Sequence, residues 1–323
     1  MARVSIIVTS YNYEAFIGET IQSCLDQTHD DVEIIVVDDG SKDNSRAVIE
    51  RFDTVKKIFK PNGGESSAVR AGLAECTGDI VMILDSDDVL LPHAAKTIVE
   101  NWRPGVPLVQ FALTKINNEG AVLGRYPDEP FLHGKERDFV LKHGYIPSSP
   151  TTGNAFSREH ITHAFEYNKD RDKTFADGYL IFTAPLYGEI VSLEESLGLY
   201  RIHGANASQS AGTNLRRVKT MFETDMAHRI GLAQHAEMVG LGRHKPEEFL
   251  GPYSWRAALL MNKGYPGQPE TAGYTTAEIV SRGVRRFWTA PGIPFARRLK
   301  NIALMVVLAV GPGALARRML PAS

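Results

Sequence analysis

The chain has 323 residues, 43% of them hydrophobic and 23% charged, with a formal net charge of −2. That length and balance suit one large α/β domain with an appendage, or two modest domains, and exclude a disordered chain, a collagen-like fibre and a small disulfide scaffold. The two cysteines, Cys24 and Cys76, lie in no CxxC or other metal-ligand spacing, which fits a reducing, cytoplasmic compartment.

The N-terminus, "MARVSIIVTSYN", enters an apolar strand at once, with neither the apolar core nor the small-residue cleavage site of a secretion signal. The strand "VSIIVTS" is followed by helical spacing in "EAFIGETIQSCLDQ", then by the strand "EIIVVDD". "DNSRAVIERF" reads as a helix before the strand "KKIFK", and "ESSAVRAGLAEC" as a helix before the strand "DIVMILD". This alternation predicts right-handed βαβ crossovers, hence a mainly parallel sheet with helices on both faces. Further on, "PLVQFALTKIN" predicts a strand, "FADGYLIFTAPLYG" a helix, and "EIVSLEESLGLYRIHG" two short strands.

Residues 1–208 are expected to form this α/β domain, and 209–323 a helical extension, with helices over 213–240 and 246–263 and breaks at "PGQPE" and "APGIP". From Ile279 onward there are eight basic residues and no acid, so a basic end with charge +8 follows a body that carries −10. Such an end suits an anionic surface. No nucleic-acid-binding motif accompanies the charge, so nucleic acid is not the expected partner. Its apolar run, "IALMVVLAVGPGALA", is interrupted by Gly-Pro-Gly and shorter than the roughly 20 residues of a spanning helix. A packed helix pair and an interfacial or re-entrant membrane anchor both fit it, and a true span is the least favoured reading on length.

Ligands of open α/β sheets bind at the carboxyl ends of the strands. Four polar clusters fall there: "TSYN", "DDGS", "KPNGG" and "DSDD". Asp85, Asp87 and Asp88 crowd three carboxylates into four residues. Their mutual repulsion calls for a cation, and paired carboxylates at a strand end are oxygen ligands for Mn²⁺ or Mg²⁺ shared with substrate phosphates. Asp39 can accept hydrogen bonds from a base or ribose. Gly63 and Gly64 permit close backbone approach, and Arg70 offers a forked guanidinium to phosphate. Neither a Walker loop nor a dinucleotide fingerprint follows the first strand.

The segments "VSIIVTSYNYEAFIGETIQSCLDQTHDDVEIIVVDDGSKDNS", "NGGESSAVRAGL" and "LDSDD" resemble the nucleotide-sugar-binding half of family 2 glycosyltransferases with the GT-A fold, densely over residues 3–103 and more thinly to about 208. The resemblance implies an inverting, metal-dependent transfer of a sugar from a nucleoside-diphosphate donor, UDP-linked, to a hydroxyl acceptor. That acceptor would be a surface glycan or lipid-linked saccharide at the inner face of the plasma membrane. It implies that Thr9, Tyr11 and Glu14 surround the nucleotide, that Asp39 meets the base and that Gly64 and Arg70 lie near the diphosphate. Asp85, Ser86 and Asp87 match the DxD motif; Asp87 or Asp88 would bind the metal, with His203 of "LYRIHGANAS" beside it. Asp177 stands where the family carries its catalytic base, although Ala176 replaces the Glu that commonly precedes it.

Three alternatives stay open. A sugar nucleotidyltransferase would show a Gly-rich basic loop after the first strand, and "TSYNYEAF" has neither Gly, Lys nor Arg. A non-catalytic nucleotide-sugar-binding protein is compatible with Ala176. Transfer to a polyprenyl phosphate would need no base at Asp177.

Overall fold

A computed structural model of the chain describes residues 2–167, 177–203, 214–271, 273–291 and 293–319. Its first unit, Met1–Val140 with Ile146–Ala207, is built around one nine-stranded sheet. The first strands and helices are β1 (Val4–Ser10), α1 (Ile17–Leu25), β2 (Val32–Asp38), α2 (Ser45–Glu50), β3 (Lys56–Phe59), α3 (Glu65–Leu73) and β4 (Ile80–Asp85). β1 pairs in parallel with β2 and β4, and β2 with β3. Every residue of β1 is buried, as a strand between two parallel neighbours with helices on both faces must be. Val4, Ile6 and Val8 pack with Ile17, Ile21, Val36, Met82 and Leu84 in one core cluster.

The sheet then changes direction. After β5 (Val89–Leu90) and α4 (Ala94–Asn101) come β6 (Leu108–Ile116), β7 (Val122–Tyr126), α5 (Glu136–His143), β8 (Asn154–Ser157), α6 (Arg158–Tyr167), α7 (Asp177–Tyr187) and β9 (Val191–Arg201). The strand order is β3-β2-β1-β4-β8-β6-β9-β5, with β7 paired on β6. β8 runs antiparallel to both β4 and β6. The 189–204 segment is one strand rather than the expected two. β9 pairs with β6 through register shifts, Phe111 facing Leu193, Ala112 facing Ser196 and Leu113 facing Gly198, so Glu194 and Glu195 bulge out of the ladder. The bulge is tied down by its own acids. Glu194 accepts from His133 at 3.0 Å and from the Phe131 N–H at 3.1 Å, and Glu195 meets His93 at 3.1 Å.

The second unit, Leu141–Tyr145 with Ser208–Ser323, is helical: α8 (Leu215–Met238), α9 (Pro252–Gly264), α10 (Thr276–Thr289), α11 (Phe295–Val310) and α12 (Gly313–Met319). Trp255, Leu259, Ile279, Phe287, Met305 and Leu308 form its core. α10 starts on a reciprocal capping box between Thr275 and Glu278. The share of the unit that comes from Leu141–Tyr145 depends on Gly144. Its φ is +80°, and a Cβ there would meet the Phe249 carbonyl oxygen at 2.1 Å.

α6 and α7 are joined by a buried histidine. His160 Nε2 lies 2.9 Å from the Leu180 carbonyl, while Nδ1 is buried without a partner. Burial pushes its pKa down to about 4, with a smaller contribution from His163, so the ring is neutral and donates from Nε2. The unfolded chain, with an ordinary His near 6.5, binds the extra proton first as pH falls. Stability present above pH about 6.5 is therefore lost as pH drops through about 4, by up to roughly 3 kcal/mol. His160→Gln keeps a donor for the carbonyl but cannot be protonated. It is expected to reduce the pH dependence in that window, measured by urea melts at neutral and acid pH.

Candidate active site

The carboxyl edge is set by register. Ser10 pairs with Asp38 on one side, and Thr9 with Asp85 on the other, which puts the end of β1 between two acidic strand ends. Strand order departs in opposite directions from this point, the place where open α/β sheets form a crevice.

Two loops are laced together above it. The N–H of Asn12 donates to Ser41 Oγ (2.9 Å), that of Tyr13 to Ser45 Oγ (2.9 Å) and that of Glu14 to Asp43 Oδ2 (3.0 Å). In return the Lys42 N–H donates to Asn12 Oδ1 and the Asn44 N–H to Glu14 Oε2, each at 2.7 Å. Burial raises the Asp43 carboxyl, but hydrogen bonds from the Ser45 hydroxyl, the Ser45 N–H and the Glu14 N–H outweigh it and hold the pKa below the ordinary value. Asn12 has φ +62°, a left-handed conformation that Asn tolerates. Beyond it lies a cavity of about 430 Å³ lined by Tyr11, Tyr13, Glu14, Phe16, Asp43 and His203, among others.

The Asp85–Asp88 turn divides its carboxylates between two tasks. The Asp88 N–H donates to the Asp85 carbonyl at 3.1 Å, and the Thr20 hydroxyl of α1 is 2.8 Å from the carbonyls of both Ser86 and Asp88. Ser86 Oγ donates to the Thr9 carbonyl. Asp88 points inward, where Thr152 Oγ1 donates to one oxygen at 2.6 Å and the Arg201 N–H to the other at 2.9 Å. Burial first, then the charges of Asp85 and Asp87, push its pKa well above the ordinary carboxylate value. Asp88, expected with Asp87 as a candidate metal ligand, thus has both oxygens engaged inside the fold.

Asp87 Oδ2 instead lies 2.7 Å from His203 Nε2, and both side chains are buried. The His203 ring stacks on Phe16 at 5.1 Å and meets Tyr13 edge-on at 6.1 Å. Burial raises the Tyr13 pKa, and the charges of Asp87, Asp85, Glu65 and Asp88 raise it further, so its hydroxyl stays protonated within a dense negative field. Arg201 holds the edge from behind, donating from Nε to the Asp87 carbonyl (2.9 Å) and from a terminal nitrogen to Glu19 (2.7 Å).

A second group forms around Asp39. It pairs with Lys60 and accepts the N–H groups of Gly63 (3.0 Å) and Gly64 (2.8 Å). Gly64 has φ 86° and ψ 167°, a region essentially closed to other residues. The Arg70 guanidinium lies 4.7 Å from the centroid of the Phe165 ring. Asp177 opens α7, but its side chain and residues 168–176, Ala176 included, lie outside the described residues, as do residues 204–213 after His203.

The structure thus joins Thr9 to Ser86, Asp87 to His203 and Asp39 to Gly64, and sets Tyr11 and Glu14 around the cavity. Tyr11 is the exposed aromatic of the loop, and Tyr13 the one among the carboxylates. Sequence reasoning missed Tyr13, Phe16, Thr20, Thr152 and Arg201. A signal existed for Arg201, which precedes His203 by two residues at a strand end.

Among the described residues no group of three or more His, Cys, Asp or Glu side chains forms a ready metal cage. The Asp87 carboxylate with the His203 imidazole beside it offers the oxygen and nitrogen donors that a divalent cation takes together with phosphate and water.

A doubly covered α/β sheet with this acidic edge is the fold of a GT-A glycosyltransferase. The chain belongs to glycosyl transferase family 2, whose model matches residues 5–163. It is 37% identical to an uncharacterized glycosyltransferase of Nostoc sp. (strain PCC 7120), over 65% of this chain and 68% of that protein. It is 39% identical to an uncharacterized glycosyltransferase of Haemophilus influenzae, but there the match takes in 28% of this chain and 38% of the relative. Among solved structures it is similar to residues 1–349 of Staphylococcus aureus TarS in complex with UDP-GlcNAc, with a TM-score of 0.60 and 16% identity over 94% of this chain and 90% of that one. At that identity the likeness speaks for the fold alone.

Gly64→Ala tests the Asp39 cradle. No atom lies within 4 Å of the added Cβ, so the cost is backbone strain only. A loss of about 1–3 kcal/mol is expected in urea melts.

Proposed function

We propose that the protein is an inverting, metal-dependent glycosyltransferase that moves a sugar from a UDP-linked donor to a hydroxyl of a saccharide or lipid-linked saccharide. The acceptor would be a growing bacterial surface glycan assembled at the inner face of the plasma membrane. The observation that carries the reading is the buried Asp87–His203 pair, 2.7 Å apart, beside a cavity at the carboxyl edge of the sheet. The UDP-GlcNAc held by TarS on the same fold supports the choice of donor.

In this reading Asp87 and His203 hold the cation with Asp85 near them, and Asp88 fixes the turn. Thr9, Tyr11, Glu14 and Ser86 shape the nucleotide pocket, and Asp39 and Gly64 present its loop. A bound Mn²⁺ or Mg²⁺ supplies positive charge to the diphosphate. Arg70 contributes a further positive charge from α3. Asp177 takes the proton of the acceptor hydroxyl as that oxygen bonds to the anomeric carbon, and the bond from that carbon to the diphosphate oxygen breaks on the opposite face. The nucleoside diphosphate leaves with the electron pair, and no covalent enzyme intermediate is needed.

Calorimetric titration with UDP, GDP and dTDP, with and without Mn²⁺, tests the site. UDP binding that needs the metal and is lost in Asp87→Ala is the expected result. Binding indifferent to both metal and Asp87 would sink the proposal.

Asp177→Asn is expected to lower kcat by about 10²–10⁴-fold with UDP affinity unchanged. Full activity in that variant would remove the base and favour a phosphate acceptor.

A further inference from the structure

α11 has two unlike faces. Asn301, Met305 and Leu308 are buried, and Asn301 Oδ1 accepts from Arg256 at 2.6 Å. At 100° per residue, Phe295, Leu299, Ala303, Val306 and Val310 fall on another stripe, and every one is exposed, Phe295 at 63% and Val310 at 83%. Exposed Trp288, at the end of α10, extends the stripe, its ring edge-on to Phe295 at 6.2 Å. A row of exposed apolar side chains this long is unusual for a face that meets only water.

The surrounding charge is of one sign. Arg285, Arg297, Lys300, Arg317 and Arg318 are all exposed, and no acid occurs from Ile279 to the last residue. A second copy docking on this face would bring together two ends that carry basic residues and no acid, which leaves their charges uncompensated. A polyanion alone would leave the valines wet. An anionic bilayer satisfies both parts, with headgroups meeting the arginines and lysine and the acyl boundary taking the apolar stripe. No helix among the described residues is long and apolar enough to cross a membrane. At about 1.5 Å per residue, α11 is also shorter than the hydrocarbon core.

We propose that the outer face of α11, with Trp288, lies in the plane of an anionic phospholipid surface and holds the protein there peripherally. This goes beyond the transferase reading and does not depend on it.

The test is vesicle flotation of the full chain, with phosphatidylcholine alone and with phosphatidylglycerol added. The protein should float with the anionic vesicles only, and less so as salt is raised. Leu299→Ser/Val306→Ser/Val310→Ser and, separately, Arg297→Glu/Lys300→Glu should each weaken binding about tenfold or more. Unchanged thermal melts and UDP titration would show that both variants remain folded, and keep this result separate from that of the transferase site. No flotation of the parent chain, or flotation untouched by both variants, overturns the proposal. So does a concentration-dependent oligomer, seen by light scattering without flotation and dissolved by the serine variant, which would assign the face to a second copy.

Discussion

Three carboxylates can share the four residues at the end of β4 because β9 returns to meet them from more than a hundred positions away. The Arg201 N–H and the Thr152 hydroxyl take the Asp88 carboxyl inward, and the Arg201 side chain holds the Asp87 carbonyl. With Asp88 turned in and its pKa raised, the field at the mouth is left to Asp85 and Asp87. His203, two residues beyond Arg201, then reaches Asp87. Desolvating this much acid is costly unless each carboxylate has a hydrogen bond or a counter-charge, and the fold provides these in layers.

The other half of the edge follows a different principle. Between residues 11–14 and 41–45 each loop supplies the donors and acceptors that the other lacks, so neither needs a regular element to satisfy its backbone. The result is a rigid rim made of loops. Preorganisation of this kind lowers the ordering cost of binding a flexible ligand. The Asp39 cradle continues the rim, although its carboxylate is occupied by the protein's own Lys60 and glycine amides.

Much of this was legible in the sequence where chemistry is local. β1 to β4 could be read because strands buried on both faces are continuous apolar runs closed by turn residues. β5 and β8, of two and four residues, are too short to show a period, and β9 was split because Glu194 and Glu195 look like a break when they are a bulge. At the site, residue type announced the acidic cluster. Which acid turns inward depends on Arg201, 113 positions away, and no spacing within "LDSDD" encodes that. Likewise, that Tyr13 lies among the carboxylates while Tyr11 stays exposed beside a left-handed Asn12 is visible only once the backbone is placed.

The return of β9 also bears on how the chain is made. The β1–β4 half is one continuous stretch of chain, from Val4 to Asp85, and can assemble while later residues are still being synthesised. Until residues 201 and 203 emerge, Asp88 lacks its backbone donor and Asp87 its histidine, so a growing chain holds an acidic edge that is formed but unfinished. Completion of this edge is thereby a late event in biosynthesis. A product truncated before β9 would carry the laced rim of loops without the residues that complete the acidic edge.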